Sequence, residues 1–364
     1  MQSMRGAVRL TTMRRILPAL AFAAIAMAQA PRIGDINVYG LHKVSAEKLL
    51  SAAGLRAGGL LPGSKGDIEE QIEKVSGVVL GRVEAVCCDG SNAVVFVGVE
   101  ERGAAHPSLH SSPTGDATLP TELVDAHQNF LAAVAQAAAH GNTGEDLTAG
   151  HPIIDDPAAH PFEERFRAFA AEHFDWLRNV LRNSGDSGQR AIAAAVIGYA
   201  PDKQQVAGEL QYAMQDPDDS VRANAIHGLT AVAVYASKHP EKGIRVAPTW
   251  LVEMLNSIVL RDRVDAAKAL VTLTDSPNPG ALSLIRERGL SSLIEMARWK
   301  TLRYALPPFV LVGRLAGLPE AEIQRRWQRG DRETAIALAD ARGGRAGYPP
   351  PSWVGAGGRG KEAR

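Results

Sequence analysis

Metal-capable side chains gather in one polar loop and in the helix expected after it. His151, Asp155 and His160 fall in the loop, and Glu164 and His173 belong to the helix. Imidazole and carboxylate groups bind divalent metals, and His160 and Glu164 form an i,i+4 pair if the helix starts early. The spacing matches no established zinc signature, since there is no H-E-x-x-H. We therefore expect polar loop residues and helix caps and no cofactor, with a metal or small-ligand site as the alternative.

Motifs for nucleophilic or phosphate chemistry are missing from the sequence. There is no G-x-S-x-G and no Gly-rich phosphate loop, so we expect a protein that is not an enzyme. Cys87 and Cys88 are neighbours on a predicted strand, where side chains alternate between faces. We expect one buried and one more exposed thiol, with an intermolecular disulfide as the alternative, since no C-x-x-C is present.

The composition is that of an ordinary globular chain. The 364 residues are 45% hydrophobic and 22% charged, which excludes a fully disordered protein. Lys+Arg and Asp+Glu both number 40, so the formal net charge is zero. This balance gives no reason to expect nucleic acid or an anionic membrane as partner.

The N-terminus predicts export. Arginines including Arg14 and Arg15 precede a short apolar run from Ile16 to Met27, and small residues follow in an A-x-A pattern ending at Ala28. This order is typical of a secretory signal peptide, here residues 1–28, and we expect cleavage before Gln29. The alternative is an uncleaved anchor. No later segment reaches transmembrane length, so we expect a periplasmic or extracellular protein.

Residues 31–102 predict a small α+β domain. A β-rich run ends at Gly40, and Ser45 and Ser64 are suited to cap two helices. Two strands then flank Asp89-Gly90-Ser91-Asn92, which is a hairpin signal. The predicted order is β-α-α-β-β.

This order, together with Ile36-Asn37-Val38-Tyr39-Gly40-Leu41 at the front and Val95-Phe96-Val97-Gly98-Val99-Glu100-Glu101 at the back, resembles a POTRA domain. The resemblance implies handling of client polypeptides by pairing a client strand with a sheet edge, for which exposed backbone groups are suited. No barrel pattern follows in the sequence. The alternative is a domain that acts as a spacer or dimer contact.

Internal repetition marks residues 162–341, after a linker with one helix over 103–161. Three helices align on Arg190, Arg222 and Arg263, each followed by apolar residues at +3 and +7 on one helical face. Each arginine has an aspartate before it: Asp186, then Asp218 or Asp219, and Asp262. Helix pairs at such periods predict an α-solenoid. A helix from Phe162 to Asn183 suits its N-terminal cap, and residues 342–364 read as a disordered tail.

The best copy, Asp216 to Leu229, follows the pattern D-P-x-x-x-V-R-x-x-A-x-x-x-L, which resembles short, lyase-type bacterial HEAT repeats. The resemblance implies that the aspartates and arginines link neighbouring repeats and are structural. On that basis we expect Arg222→Ala to destabilise the protein by roughly 1–3 kcal/mol. The fold class expected is mainly α, with a HEAT-like solenoid preceded by the POTRA-like domain.

Partner binding is expected on the second helix of each pair, which lines the concave side of such a stack. The side chains there include types that are enriched at protein interfaces: Trp250, Met254, Arg286, Met296, Arg298 and Trp299. The leading hypothesis is a non-enzymatic, protein-binding scaffold of the bacterial cell envelope. The alternatives are a lyase-type HEAT enzyme and a metal or small-ligand binder that uses the His/Asp cluster at 151–173.

Overall fold

The N-terminal part of the chain is a three-stranded sheet with two helices on one face. A computed structural model describes residues 31–89 and 92–343. The elements are β1 (Arg32–Tyr39), α1 (Ala46–Ala52), α2 (Lys65–Glu73), β2 (Val78–Asp89) and β3 (Asn92–Glu101), in the predicted order. The strands lie in the order β1-β3-β2, with β1 parallel and β2 antiparallel to β3. We call residues 31–102 the N-terminal module.

Both faces of the central strand β3 are buried. Val95 and Val97 of β3 pack with α1 and α2 around Leu49 and Ile72. The alternate residue Phe96 points to the opposite face and belongs to the core of the helices that follow. This explains why residues 93–99 are a nearly continuous apolar run, because a strand covered on both sides has no polar face.

The remainder is helical, apart from a 3₁₀ turn (Pro240–Lys242) and a short ribbon of β4 (Glu145–Asp146) and β5 (Ile153–Ile154). Its helices are α3 (Thr121–Ala139), α4 (His160–Glu172), α5 (Phe174–Asn183), α6 (Ser187–Ile197), α7 (Lys203–Ala213), α8 (Asp219–Lys238), α9 (Thr249–Met254), α10 (Leu260–Leu273), α11 (Pro279–Arg288), α12 (Leu290–Ala297), α13 (Leu302–Leu315), α14 (Glu320–Gln328) and α15 (Arg332–Gly343). The prediction of a mainly helical chain with a small N-terminal sheet is confirmed. None of the described helices is long and apolar enough to cross a membrane.

The helices pack largely in chain order. Helix α6 contacts α8, α8 contacts α10, α10 contacts α13, and α12 contacts α13. Aspartates begin three of the helices: the carboxylates of Asp186, Asp202 and Asp218 accept backbone N–H groups of α6, α7 and α8. The helix predicted over 162–183 is interrupted at His173, where the backbone leaves helical geometry between α4 and α5.

Some sequence predictions concern residues outside this description. The signal peptide at residues 1–28 and residues 344–364 of the tail lie outside the described chain, as do the side chains of Cys87 and Cys88. The stretch 103–161 carries α3 and the ribbon, and it buries Leu119, Leu123 and Ala126 in the helical core.

Candidate binding site

Buried arginine–carboxylate pairs connect successive helices. Arg190 of α6 makes a bidentate contact with Asp216, at 2.7 Å from Nε and 2.9 Å from Nη2. Arg222 of α8 contacts Asp262 of α10, at 3.0 Å from Nε and 2.8 Å from Nη2. Each arginine also donates to a backbone carbonyl six residues earlier, that of Ser184 or of Asp216. These planar, charged contacts fix the spacing of the helices they join.

The third arginine continues the series and reaches the N-terminal module. Arg263 of α10 donates from Nη1 to Glu295 of α12 at 3.2 Å, and its guanidinium lies 4.7 Å from the centroid of the Tyr39 ring. The Glu295 carboxylate also accepts the backbone N–H of Gly40 at 3.0 Å. Burial raises the pKa of Glu295, and the neighbouring Arg263 opposes that shift.

The prediction of inter-repeat residues needs a correction. Arg190, Arg222, Asp262 and Arg263 do lie in pairs between helices, whereas Asp186 and Asp218 cap the N-termini of α6 and α8. The acceptors that complete the series are Asp216 and Glu295. An aspartate in the turn before a helix serves either as cap or as ion-pair partner, and spacing alone does not distinguish these roles.

The end of β1 is fixed to the helices by an aromatic cluster. Trp299 lies between Tyr39 and Phe96, with ring centroids 5.7 Å and 5.1 Å away. The Tyr39 hydroxyl donates to the carbonyl of Ile258 at 2.8 Å. A Cβ on Gly98 would lie 2.6 Å from that hydroxyl and 2.7 Å from the Ile258 carbonyl, so the close approach requires glycine.

Gly98→Ala should therefore lower the free energy of unfolding by about 1–3 kcal/mol, because the added methyl overpacks a fixed ring and a backbone carbonyl. Gly208→Ala is the matched control, since Gly208 lies in the interior of α7 with open space around its Cα. This control should raise stability by about 0.5–1 kcal/mol through helix propensity. Urea unfolding measures both, and equal effects of the two substitutions would contradict the close approach at Gly98.

A groove of about 610 Å³ opens beside this junction. Helix α12 forms its floor through residues of one face, Leu290, Ser291, Ile294, Glu295 and Arg298. The loop after β1, the end of β3 and residues 104–105 form one wall, and α9 and α11 also contribute lining residues. Pockets of this volume are the usual size for ligand sites.

The groove contains two of the six side chains predicted to bind a partner. Arg286 and Arg298 line it, with Arg298 paired to Glu333 at 2.8 Å. Arg286 donates from Nη2 to the carbonyl of Leu315 at 2.9 Å, and its Nε is buried without a hydrogen-bond partner among the described residues.

The other four predicted binding residues do not form a surface. Met254, Met296 and Trp299 are at most 1% exposed and belong to the helical core, so the expectation that they contact a partner is wrong. Trp250 is partly buried against the same core. Trp and Met are enriched both at interfaces and in cores, and here the sheet covers the helix face that carries Trp299.

The metal-capable residues are not brought together. His151 is buried against Tyr199, and the Nε2 atom of His160 is 2.9 Å from the Ile154 carbonyl. Glu164 pairs with Arg167, and His173 stacks on Phe169. Asp155 lies beside Gly144 of the ribbon, and within the described chain no three His, Cys, Asp or Glu residues form a metal-binding group.

The edges of the sheet are partly occupied. On the outer edge of β2 the N–H groups of Gly81 and Val83 donate to the carboxylates of Glu73 and Glu69, at 3.2 Å and 2.9 Å. The start of β1 is covered by the loop at 58–61, through backbone bonds between Ile33 and that loop. Occupied edge donors oppose the addition of a further strand.

No protein-family model matches this chain, and no curated protein is significantly similar to it.

Proposed function

We propose that this protein is an exported, non-enzymatic binding protein of the bacterial cell envelope. Its N-terminal module, which resembles a POTRA domain, and its helical part, which resembles a HEAT-type solenoid, together form the groove along α12. The groove holds an extended segment of a partner polypeptide. The observation that carries the proposal is this groove of about 610 Å³ at the junction of the two parts.

The dimensions of the groove favour a short extended peptide. Helix α12 has 8 residues, which corresponds to about 12 Å at about 1.5 Å per residue. An extended chain rises about 3.3 Å per residue, so about four residues fit along the floor.

The lining favours a peptide by its mixture of groups. Leu41, Val99, Leu290 and Ile294 supply apolar surface, and Ser291 is an exposed hydroxyl on the floor. Charged side chains of both signs also line the groove, among them Glu100, Asp340, Arg286 and Arg298. Specific binding pockets usually combine a largely apolar surface with a few polar groups.

The repeated arginine contacts support the solenoid interpretation of the helical part. Arg190 links α6 to the turn before α8, Arg222 links α8 to α10, and Arg263 links α10 to α12. Each of them also donates to a backbone carbonyl six residues earlier. Such a series holds a stack of helices in register and presents one continuous face to a partner. The groove is preferred to the sheet edge as the binding site because Glu69 and Glu73 occupy the edge donors of β2.

A peptide-selection experiment tests the proposal. Seven-residue peptides displayed on phage are selected on the wild-type protein, and the enriched peptide is titrated by fluorescence polarisation. Ser291→Trp fills the floor of the groove, and we expect at least tenfold weaker binding. Ser283→Trp is the matched control, because Ser283 is exposed on α11 and lies outside the groove.

The dissociation constant of the Ser283→Trp control should be within about twofold of that of the wild type, since the substitution leaves the groove unchanged. Circular dichroism should show both variants folded. Selection of no peptide, or equal weakening by Ser291→Trp and Ser283→Trp, would reject the groove as a polypeptide site.

A further inference from the structure

The short ribbon packs across the helices through its turn. We define the ribbon as residues 144–155, which contain β4 and β5. Gly150 has φ +78°, and a Cβ there would lie 2.9 Å from Cε of Lys203 and 3.1 Å from the Tyr235 ring. The turn thus covers the side-chain methylenes of Lys203 at the start of α7.

His151 of the ribbon faces the Lys203 amine directly. Both side chains are buried, at 7% and 6% exposure, with Nδ1 and Nζ 3.3 Å apart. The amine also donates to the Gly198 carbonyl at 2.9 Å. An ammonium has only donors, so Nδ1 of His151 must accept and Nε2 carries the proton. That Nε2 is buried without a partner among the described residues.

Few charges face this pair, and none of the nearest is an ion-pair partner for Lys203. Arg167 of α4 adds a further positive charge, and Tyr199 and Tyr235 contribute neutral rings. The nearby carboxylates are engaged elsewhere: Glu163 accepts the Ile154 N–H at 2.7 Å, and Glu145 contacts Nε2 of His227 at 2.8 Å. None of the ion pairs found within the described chain includes Lys203.

Three histidines, His151 in the ribbon and His160 and His227 beside it, differ in the groups that their ring nitrogens face. His160 and His227 face acceptor oxygens, the Ile154 carbonyl and the Glu145 carboxylate, so each contact survives protonation of the ring. The Nδ1 atom of His151 faces the Lys203 amine, and protonation places two buried positive charges 3.3 Å apart, which the hydrogen bond of His151 with the Ala149 backbone offsets only in part. Acid therefore weakens the turn of the ribbon and preserves its β4 end.

We propose that the ribbon is an acid-released strap, in which protonation of His151 beside Lys203 detaches the turn around Gly150 from α7 and α8 and exposes Tyr199 and Lys203. The strap is closed at neutral pH and opens as the pH falls. This device is separate from the groove along α12, and its test does not depend on a bound peptide.

The direction of the pH effect follows from the charges. Burial, followed by Lys203 and Arg167, lowers the pKa of His151 from 6.5 to about 4, although a hydrogen bond with the Ala149 backbone opposes this shift. Burial lowers the pKa of Lys203 to about 8, so the amine stays charged at neutral pH. A histidine with a lowered pKa stabilises the closed strap above pH 6.5 and loses that contribution as the pH falls towards 4. The ratio of open to closed strap should rise about 30-fold between pH 7.5 and pH 5.

Hydrogen exchange of two ribbon amides measures the opening. The N–H groups of Gly150 and Asp155 donate to Leu147 and Gly144 inside the ribbon. At pH 5 we expect the protection factor of Gly150 to fall about 30-fold relative to pH 7.5, while amides of α10 keep theirs. His151→Phe keeps a ring against Tyr199 and cannot be protonated, so its protection should change less than threefold. His227→Gln should respond to acid as wild type does.

Three outcomes would overturn the proposal: pH-independent protection in the wild type, an unchanged acid response in His151→Phe, and a parallel loss of protection in α10. Should His151→Phe not fold, an NMR titration of the wild-type His151 ring decides instead. Titration at pH 6.5 or above contradicts the strap, and titration below pH 5 supports it.

Discussion

Arg222→Ala should lower the free energy of unfolding by about 3–5 kcal/mol, which exceeds the roughly 1–3 kcal/mol expected from the repeat pattern alone. The larger value follows from burial, since Arg222 is 3% and Asp262 1% exposed. Removal of the guanidinium leaves the Asp262 carboxylate in the core with only the Ser257 hydroxyl as side-chain donor, at 2.7 Å. It also removes the donor to the carbonyls of Asp216 and Pro217. Urea unfolding at pH 7 measures the loss.

Two further variants separate the ion pair from a general effect of truncation. Lys238→Ala changes an exposed residue at the end of α8 and should stay within about 0.5 kcal/mol of wild type. The double variant Arg222→Met with Asp262→Leu replaces the pair by apolar groups and should regain much of the loss, because no buried charge remains. If Arg222→Ala cost less than 1 kcal/mol, the pair would not hold α8 against α10.

The arginines of the series could be predicted from the sequence, and their partners only in part. Three arginines recur with apolar residues at +3 and +7, although the loops between these helices differ in sequence. Asp216 and Asp218 both precede Arg222 in one turn, and only the folded backbone decides which of them reaches Arg190. Glu295 lies within α12, and its side chain is one methylene longer than that of an aspartate. No repeat pattern in the sequence indicates its role.

The sequence of β3 indicated that both faces of this strand are covered. A strand with one solvated face alternates between polar and apolar residues, whereas residues 93–99 of β3 are apolar almost throughout. This pattern predicts two covered faces, and α1 and α2 cover only one. The identity of the second cover, which is the helical core around Trp299, depends on contacts far apart in the chain and could not be derived from local patterns.

The groove arises from the same docking, which is why the sequence identified only two of its side chains. Arg286 and Arg298 were predicted to bind a partner because arginine is enriched at protein interfaces, and they line the groove. The wall at Gly40, Leu41 and Val99 comes from the N-terminal module, about 190 to 260 positions away in the numbering. Only the structure shows that these two parts of the chain form one site.

Trp299→Ala should lower the free energy of unfolding by about 3–5 kcal/mol, because it leaves a cavity between the sheet and the helices. The indole is 1% exposed and lies against Tyr39 and Phe96. Its Nε1 has no hydrogen-bond partner among the described residues, so the loss is one of packing. Chemical unfolding followed by circular dichroism measures it, and tyrosine fluorescence reports on Tyr39 beside the cavity.

Trp176→Ala is the matched control for this substitution. Trp176 is 42% exposed and donates from Nε1 to the Thr118 carbonyl at 2.8 Å. Its replacement removes one partly exposed hydrogen bond and little buried area, for an expected cost of about 1 kcal/mol or less. A surface role for Trp299 would give the opposite ranking, with little change in stability and weaker binding of the selected peptide. If the two substitutions lowered the free energy of unfolding equally, Trp299 would not hold the sheet against the helices. The junction that forms the groove would then depend on other contacts.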